Sequence, residues 1–140
     1  MNVLLKKKAI IVEDFKLIAD IWKRTLEKEG FEVIKVFEHA ENIEDEIIYD
    51  QPDIILMDIN LRGAKTGLDL TLSLLDRDPS LKILMLTIHN ETSYVQKAIN
   101  AGARGYVTKN ASIVELKNAI NAISGGGNYF CNDVSNSVPN

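Results

Sequence analysis

The stretch "IILMDINL" (residues 54–61) opens with four consecutive apolar residues and then meets a carboxylate, Asp58. A short run that is apolar at every position reads as a strand covered on both faces, because a half-exposed strand would alternate. A carboxylate delivered to the end of such a strand needs a partner, since burying an unpaired charge is strongly unfavourable.

Similar runs recur along the chain. "AIIV" (9–12), "EVIKVF" (32–37), "DIILMD" (53–58), "KILMLT" (82–87) and "GYVTK" (105–109) read as five strands. Helical patterns lie between them. Over residues 15–29, Ile18, Ile21, Trp22, Thr25 and Leu26 share a face, and Gly30 is the stop. Over 40–50, Ile43, Ile47 and Ile48 repeat before Pro52, and over 91–101, Val95, Ala98 and Ile99 precede Gly102. "SIVE" (112–115) predicts a capping box of Ser112 and Glu115, with a stripe through Ile113, Leu116, Ile120 and Ile123. The leucines of residues 67–79 fit both periods. Leucine is not β-branched, so a helix is expected, with Leu68, Leu72 and Leu75 inward and Leu70 and Leu74 outward. Alternating strands and helices predict an α/β fold: a doubly wound, five-stranded parallel sheet with right-handed crossovers. Ligands collect at the carboxyl ends of its strands.

The chain of 140 residues suits one domain with a real core. A net charge of −4 argues against a broad basic surface for nucleic acid or an anionic membrane. The single cysteine, Cys131, precludes an internal disulfide and reads as a reduced thiol in a cytoplasmic protein. No apolar run approaches the about 20 residues of a membrane span, and "MNVLLKKKAI" lacks the order of a secretory signal. Residues 125–140, "GGGNYFCNDVSNSVPN", read as a flexible linker that leaves a domain of residues 1–124.

The polar residues gather at the strand ends. Glu13 and Asp14 follow the first strand, Asp58 ends the third, Thr87 the fourth and Lys109 the fifth. Each alone is uninformative, and Asp14 by itself reads as a helix cap. Together they occupy one crevice. Three carboxylates so close cannot all stay ionised without positive charge. Lys109 supplies one charge, and the remainder suits a hard divalent cation with oxygen ligands, Mg²⁺. With such a cation, a carboxylate can act as nucleophile toward a phosphoryl group, and a lysine and a hydroxyl can hold its oxygens.

Taken in order, "VED" (12–14), "MDINL" (57–61), "MLT" (85–87) and "GARGYVTK" (102–109) resemble the receiver domain of two-component response regulators over roughly residues 8–124. The resemblance implies a flavodoxin-like strand order 2-1-3-4-5. It implies Asp58 as phosphoacceptor, and Mg²⁺ held by Asp14, Asp58 and the Asn60 carbonyl, with Glu13 acting through water. Lys109 and Thr87 would bind the phosphoryl group and Tyr106 would be an aromatic switch, against the bland alternative of a half-buried tyrosine at a strand edge. A sensor histidine kinase would be the donor. The result would be a switch rather than a turnover enzyme, read out near Tyr106 as altered dimerisation or control of an effector domain. The segment "TIHNETSYVQKAINAGARGYVTKNAS" (87–112) and the tail further resemble the NarL/FixJ (LuxR-type) branch, whose members usually continue into a DNA-binding domain. That makes transcription regulation the expected output, with a stand-alone receiver as the alternative.

The pattern departs at several points. Arg62 replaces a frequent proline, and Gly67 comes one residue late in the longer loop "NLRGAKTG" (60–67). Arg62 and Lys65 read as solvated loop charge. Asn110 stands where many receivers have proline, Ile88 is bulkier than usual, and His89 reads as a loop residue that tunes water access. Neither His89 nor His39 has partners that suggest a metal site. A phosphatase of the haloacid dehalogenase type would need an aspartate at Asn60 and its nucleophile on the first strand. A flavodoxin-like electron carrier would need a phosphate cradle where "VEDFK" (12–16) places carboxylates.

Overall fold

The computed structural model describes residues 6–87 and 92–130, so Ile88, His89 and Cys131 lie outside the described residues. Strands and helices alternate as β1 (Lys7–Val12), α1 (Lys16–Lys28), β2 (Phe31–Phe37), α2 (Glu44–Asp50), β3 (Ile54–Asp58), α3 (Gly67–Arg77), β4 (Ile83–Thr87), α4 (Thr92–Ala101), β5 (Gly105–Thr108), α5 (Ile113–Ser124) and β6 (Tyr129–Phe130). Every residue of β3 and β4 is buried, as unbroken apolar runs require of strands covered on both faces. Helix α1 packs beside α5, while α3 packs against both α2 and α4. No helix among the described residues is long and apolar enough to cross a membrane.

The parallel order is β2-β1-β3-β4-β5-β6. The sheet therefore has six strands, not the expected five, and the sixth comes from the segment read as linker. Its pairing depends on partners distant in sequence. The Tyr129 N–H donates to the Arg104 carbonyl at 3.0 Å and its hydroxyl to Glu115 Oε2 at 3.1 Å. Gly105 makes the approach feasible, because a Cβ there would stand 2.8 Å from the Tyr129 carbonyl oxygen. The added strand covers backbone groups that the edge of β5 would otherwise leave unpaired.

Four helices differ from their expected form. In α3, Leu68 and Leu75 are buried as expected, but Leu70 and Leu74 are fully buried and Leu72 is exposed, the reverse of the expected faces for these three. The buried set is Leu68, Leu70, Thr71, Leu74 and Leu75, centred on Thr71, whose hydroxyl donates to Met85 Sδ at 3.2 Å. Helix α2 begins at Glu44, and the preceding Ala40 and Ile43 are buried without being helical. Helix α1 has Phe15 at its N-cap with no side-chain cap, so Asp14 is not consumed in capping. In α5, Leu116, Ile120 and Ile123 are buried as expected, but Ile113, at the start of the helix, is exposed.

Helix α3 carries a complete capping box. Thr66 Oγ1 accepts from the Asp69 N–H at 3.1 Å, and Asp69 Oδ2 accepts from the Thr66 N–H at 3.0 Å. Thr66→Ala is expected to cost about 1 kcal/mol of stability. Urea denaturation checks this, and Thr66→Ser should recover most of the loss.

Candidate functional site

The parallel strands all point their carboxyl ends one way, so the turns after β1, β3, β4 and β5 share a single rim. Glu13 leaves β1 with its N–H bonded to the Phe37 carbonyl at 2.9 Å, and its Oε2 accepts from the Phe15 N–H at 3.0 Å. This local bond tightens the β1–α1 turn. Asp58 is the last residue of β3 and only 1% exposed. Its Oδ1 accepts from the Asn60 N–H at 3.0 Å. Thr87, buried at the end of β4, accepts from Asn60 Nδ2 at 3.0 Å. Its carbonyl accepts from the Lys109 N–H at 2.6 Å, which ties the end of β4 to the turn after β5.

Lys109 closes the set. Its Nζ lies 2.6 Å from Glu13 Oε1 and 3.2 Å from Asp58 Oδ2. The ammonium therefore bridges both buried carboxylates and sits closer to Glu13. Carboxylate oxygens of Glu13, Asp14 and Asp58 all lie within 4.8 Å of one another. Such a cluster of hard oxygen donors, facing one buried lysine, fits a divalent cation of the Mg²⁺ type.

Burial pushes the Glu13 carboxyl up to about 7, and the nearby Asp58 charge adds to the effect. The hydrogen bonds from Lys109 and the Phe15 N–H offset it only in part. Between the ordinary value of 4.5 and about 7, the folded chain thus holds a proton that the unfolded chain has lost. Stability from this group is full below the lower value and falls as pH rises through the upper one. In metal-free buffer, wild type is expected to lose more thermal stability than Glu13→Gln on going from about pH 5 to about pH 8. Parallel melting curves for the two proteins would contradict this.

The loop after β3 places its cations differently. Arg62 is 93% exposed, and its Nε lies 3.5 Å from Asp14 Oδ2, a solvent-screened contact of little energy. Lys65 is not a solvated charge as expected. It is half-buried and paired with Glu44, whose carboxyl it holds below the usual range. His39 lies on the surface, 3.7 Å from Glu41. Tyr106 is fully buried in β5, in register with Met85 of β4 and Phe130 of β6. It is neither half-buried nor on an edge strand. The Lys109–Asn110 peptide is trans.

One residue of the site was visible in the sequence only as a late glycine. Gly67 abuts the backbone at the end of β3, where a Cβ would stand 1.8 Å from the Asp58 carbonyl oxygen. Its N–H donates to the Ile59 carbonyl at 3.1 Å.

Residues 9–121 match the response regulator receiver domain family. The chain is 36% identical over 126 residues to the transcriptional regulatory protein DegU of Brevibacillus brevis, covering 89% of this chain and 53% of that protein. It is 32% identical over 129 residues to the response regulator UvrY of Escherichia coli, covering 90% of this chain and 58% of that protein. The chain thus spans somewhat over half the length of these relatives. Among solved structures it is similar to a LuxR-family two-component response regulator from Aurantimonas sp. SI85-9A1, with a TM-score of 0.86 and 29% identity over 95% of both chains. A CheY-like receiver domain protein from Methanospirillum hungatei JF-1 gives a TM-score of 0.79 at 27% identity, covering 87% of this chain and 96% of that one. Since the family match runs from β1 into α5 and takes in each of the strand ends that build the crevice, this chain belongs to the response regulator receiver domain family, in its NarL/FixJ (LuxR-type) branch.

Proposed function

We propose that Asp58 accepts a phosphoryl group from a sensor histidine kinase and that the chain is a phosphorylation-controlled switch within a transcription regulator. The observation that carries this is the placement of Asp58. Its carboxylate is held at Oδ1 by the Asn60 N–H and approached at Oδ2 by Lys109, beside two further carboxylates. A nucleophile fixed in this way loses little freedom on reaching the reactive geometry.

Asp14, Asp58 and the Asn60 carbonyl would bind Mg²⁺, with Glu13 acting through water; the cation would neutralise charge on the phosphoryl oxygens. As a carboxylate oxygen of Asp58 bonds to phosphorus, the bond from phosphorus to the donor breaks. Lys109 then turns from Glu13 toward the new phosphoryl oxygens, which its flexible stem permits. Thr87 moves to hydrogen-bond the same group, giving up its contact with the Asn60 amide. Tyr106 sits on β5, the parallel neighbour of β4, and its packing responds to that movement. The domain shifts between two conformations, as any ligand-biased switch must.

Family membership places the chain among receivers rather than turnover enzymes. Residues 1–124, with the added strand Tyr129–Phe130, act as the receiver unit. The rest of residues 125–140 connects it to a DNA-binding output module of a longer, cytoplasmic protein, and phosphorylation controls pairing with a second copy. The fraction of DegU and UvrY that the chain spans supports this division. The test is incubation with Mg²⁺ and a small acyl phosphate, followed by intact-protein mass spectrometry. One phosphoryl group should appear on wild type and none on Asp58→Asn. Uptake by the variant, or none by wild type, refutes the assignment.

A further inference from the structure

Trp22 is the single tryptophan of the chain and lies on the inner face of α1, 3% exposed. Its ring does more than fill the core. Lys109 Nζ stands 5.8 Å from the ring centroid, within the about 6 Å reach of a cation–π contact. The same ammonium is bound by Glu13 and Asp58. Lys109 is thus bounded by two carboxylates and an aromatic face, and its side chain is 10% exposed.

This arrangement suits a lysine that must stay in the crevice yet change partners. Lysine is a flexible point charge on a four-carbon stem, so its position has to be imposed from outside. A hydrogen-bond acceptor beneath it would compete with Asp58 for its protons. An indole face attracts the charge without demanding a particular N–H direction, so the ammonium can slide between acceptors while withdrawal is penalised.

We propose that Trp22 is a positioning residue, whose indole face holds the Lys109 ammonium against Glu13 and Asp58 and so sets the rate of phosphoryl uptake. This rests on Asp58 being the phosphoacceptor. Trp22→Leu keeps apolar bulk and removes the π face, whereas Trp22→Phe keeps a smaller face. With the 140-residue chain, Mg²⁺ and a small acyl phosphate, Trp22→Leu should slow uptake about five-fold. Trp22→Phe should retain most of the rate despite a comparable drop in melting temperature. Equal rates in all three proteins overturn the proposal. So does slowing that follows the stability loss equally in both variants, which is what a purely structural tryptophan would give. If wild type takes up no phosphoryl group, the assignment of Asp58 falls and the proposal with it. A second measurement needs no variant at Trp22: Lys109→Met should shift the emission of the sole tryptophan, and unchanged emission overturns the contact.

Discussion

Gly67→Ala is expected to lower the melting temperature by about 10 °C or more and to abolish efficient phosphoryl uptake at the same time. The added methyl would stand 1.8 Å from the Asp58 carbonyl oxygen and 3.0 Å from Ile59 Cα. Both obstacles are backbone, so no side chain can swing away. Nor can α3 easily retreat. Gly67 is its first residue, its N–H is bonded to the Ile59 carbonyl, and the Thr66–Asp69 capping box fixes the turn before it. Overpacking of this kind costs about 1–3 kcal/mol and more where backbone must move, against a total stability of about 5–15 kcal/mol. Any relief displaces Asp58 itself, which couples the stability loss to the chemistry. Thermal denaturation and mass spectrometry of the same preparation check both effects. A near-wild-type melting point would show that the start of α3 is free to shift.

Lys109→Met should reduce phosphoryl uptake about 10²-fold or more, the scale for deleting a preorganised electrostatic group beside a developing anion. It should also destabilise the metal-free chain in a pH-dependent way. The substitution leaves Glu13 and Asp58 buried without the ammonium that bridges them, and stranding one side of a buried ion pair costs about 3–5 kcal/mol. Glu13 offers an escape, because burial already pushes its carboxyl up to about 7. Below that pH it can take a proton and remove one of the stranded charges. The melting-temperature gap between wild type and Lys109→Met should therefore be wider at about pH 8 than at about pH 6, and Mg²⁺ should narrow it at the higher pH. A gap independent of pH and of Mg²⁺ would mean that the carboxylates do not depend on Lys109.

Much of the fold was legible because its signals are local. The runs at residues 9–12, 54–57 and 83–86 are apolar at every position, and each proved to be fully buried. The two glycine stops hold as well, with Gly30 and Gly102 at φ of 90° and 106° after α1 and α4. The inward face of α3 was legible only at Leu68 and Leu75. With leucine at positions 68, 70, 72, 74 and 75, apolarity marks no side, and the choice fell to Thr71 and its contact with Met85. The sixth strand was hidden for a different reason. Two residues in a glycine- and asparagine-rich segment carry no periodicity, and their pairing is set by Gly105, Arg104 and Glu115.

The candidate site divides the same way. By itself the sequence determined that Glu13, Asp14, Asp58, Thr87 and Lys109 stand at strand ends, because a parallel sheet sends every carboxyl end to one rim. Only the tertiary structure decided how they share charge. Lys109 lies nearer Glu13 than Asp58, Lys65 is drawn away to Glu44, and Trp22 lies beneath the ammonium rather than merely within the core. Such choices depend on distances of a few tenths of an ångström between residues far apart in the chain. They also depend on burial that strengthens each contact, and neither exists until the helices close over the sheet.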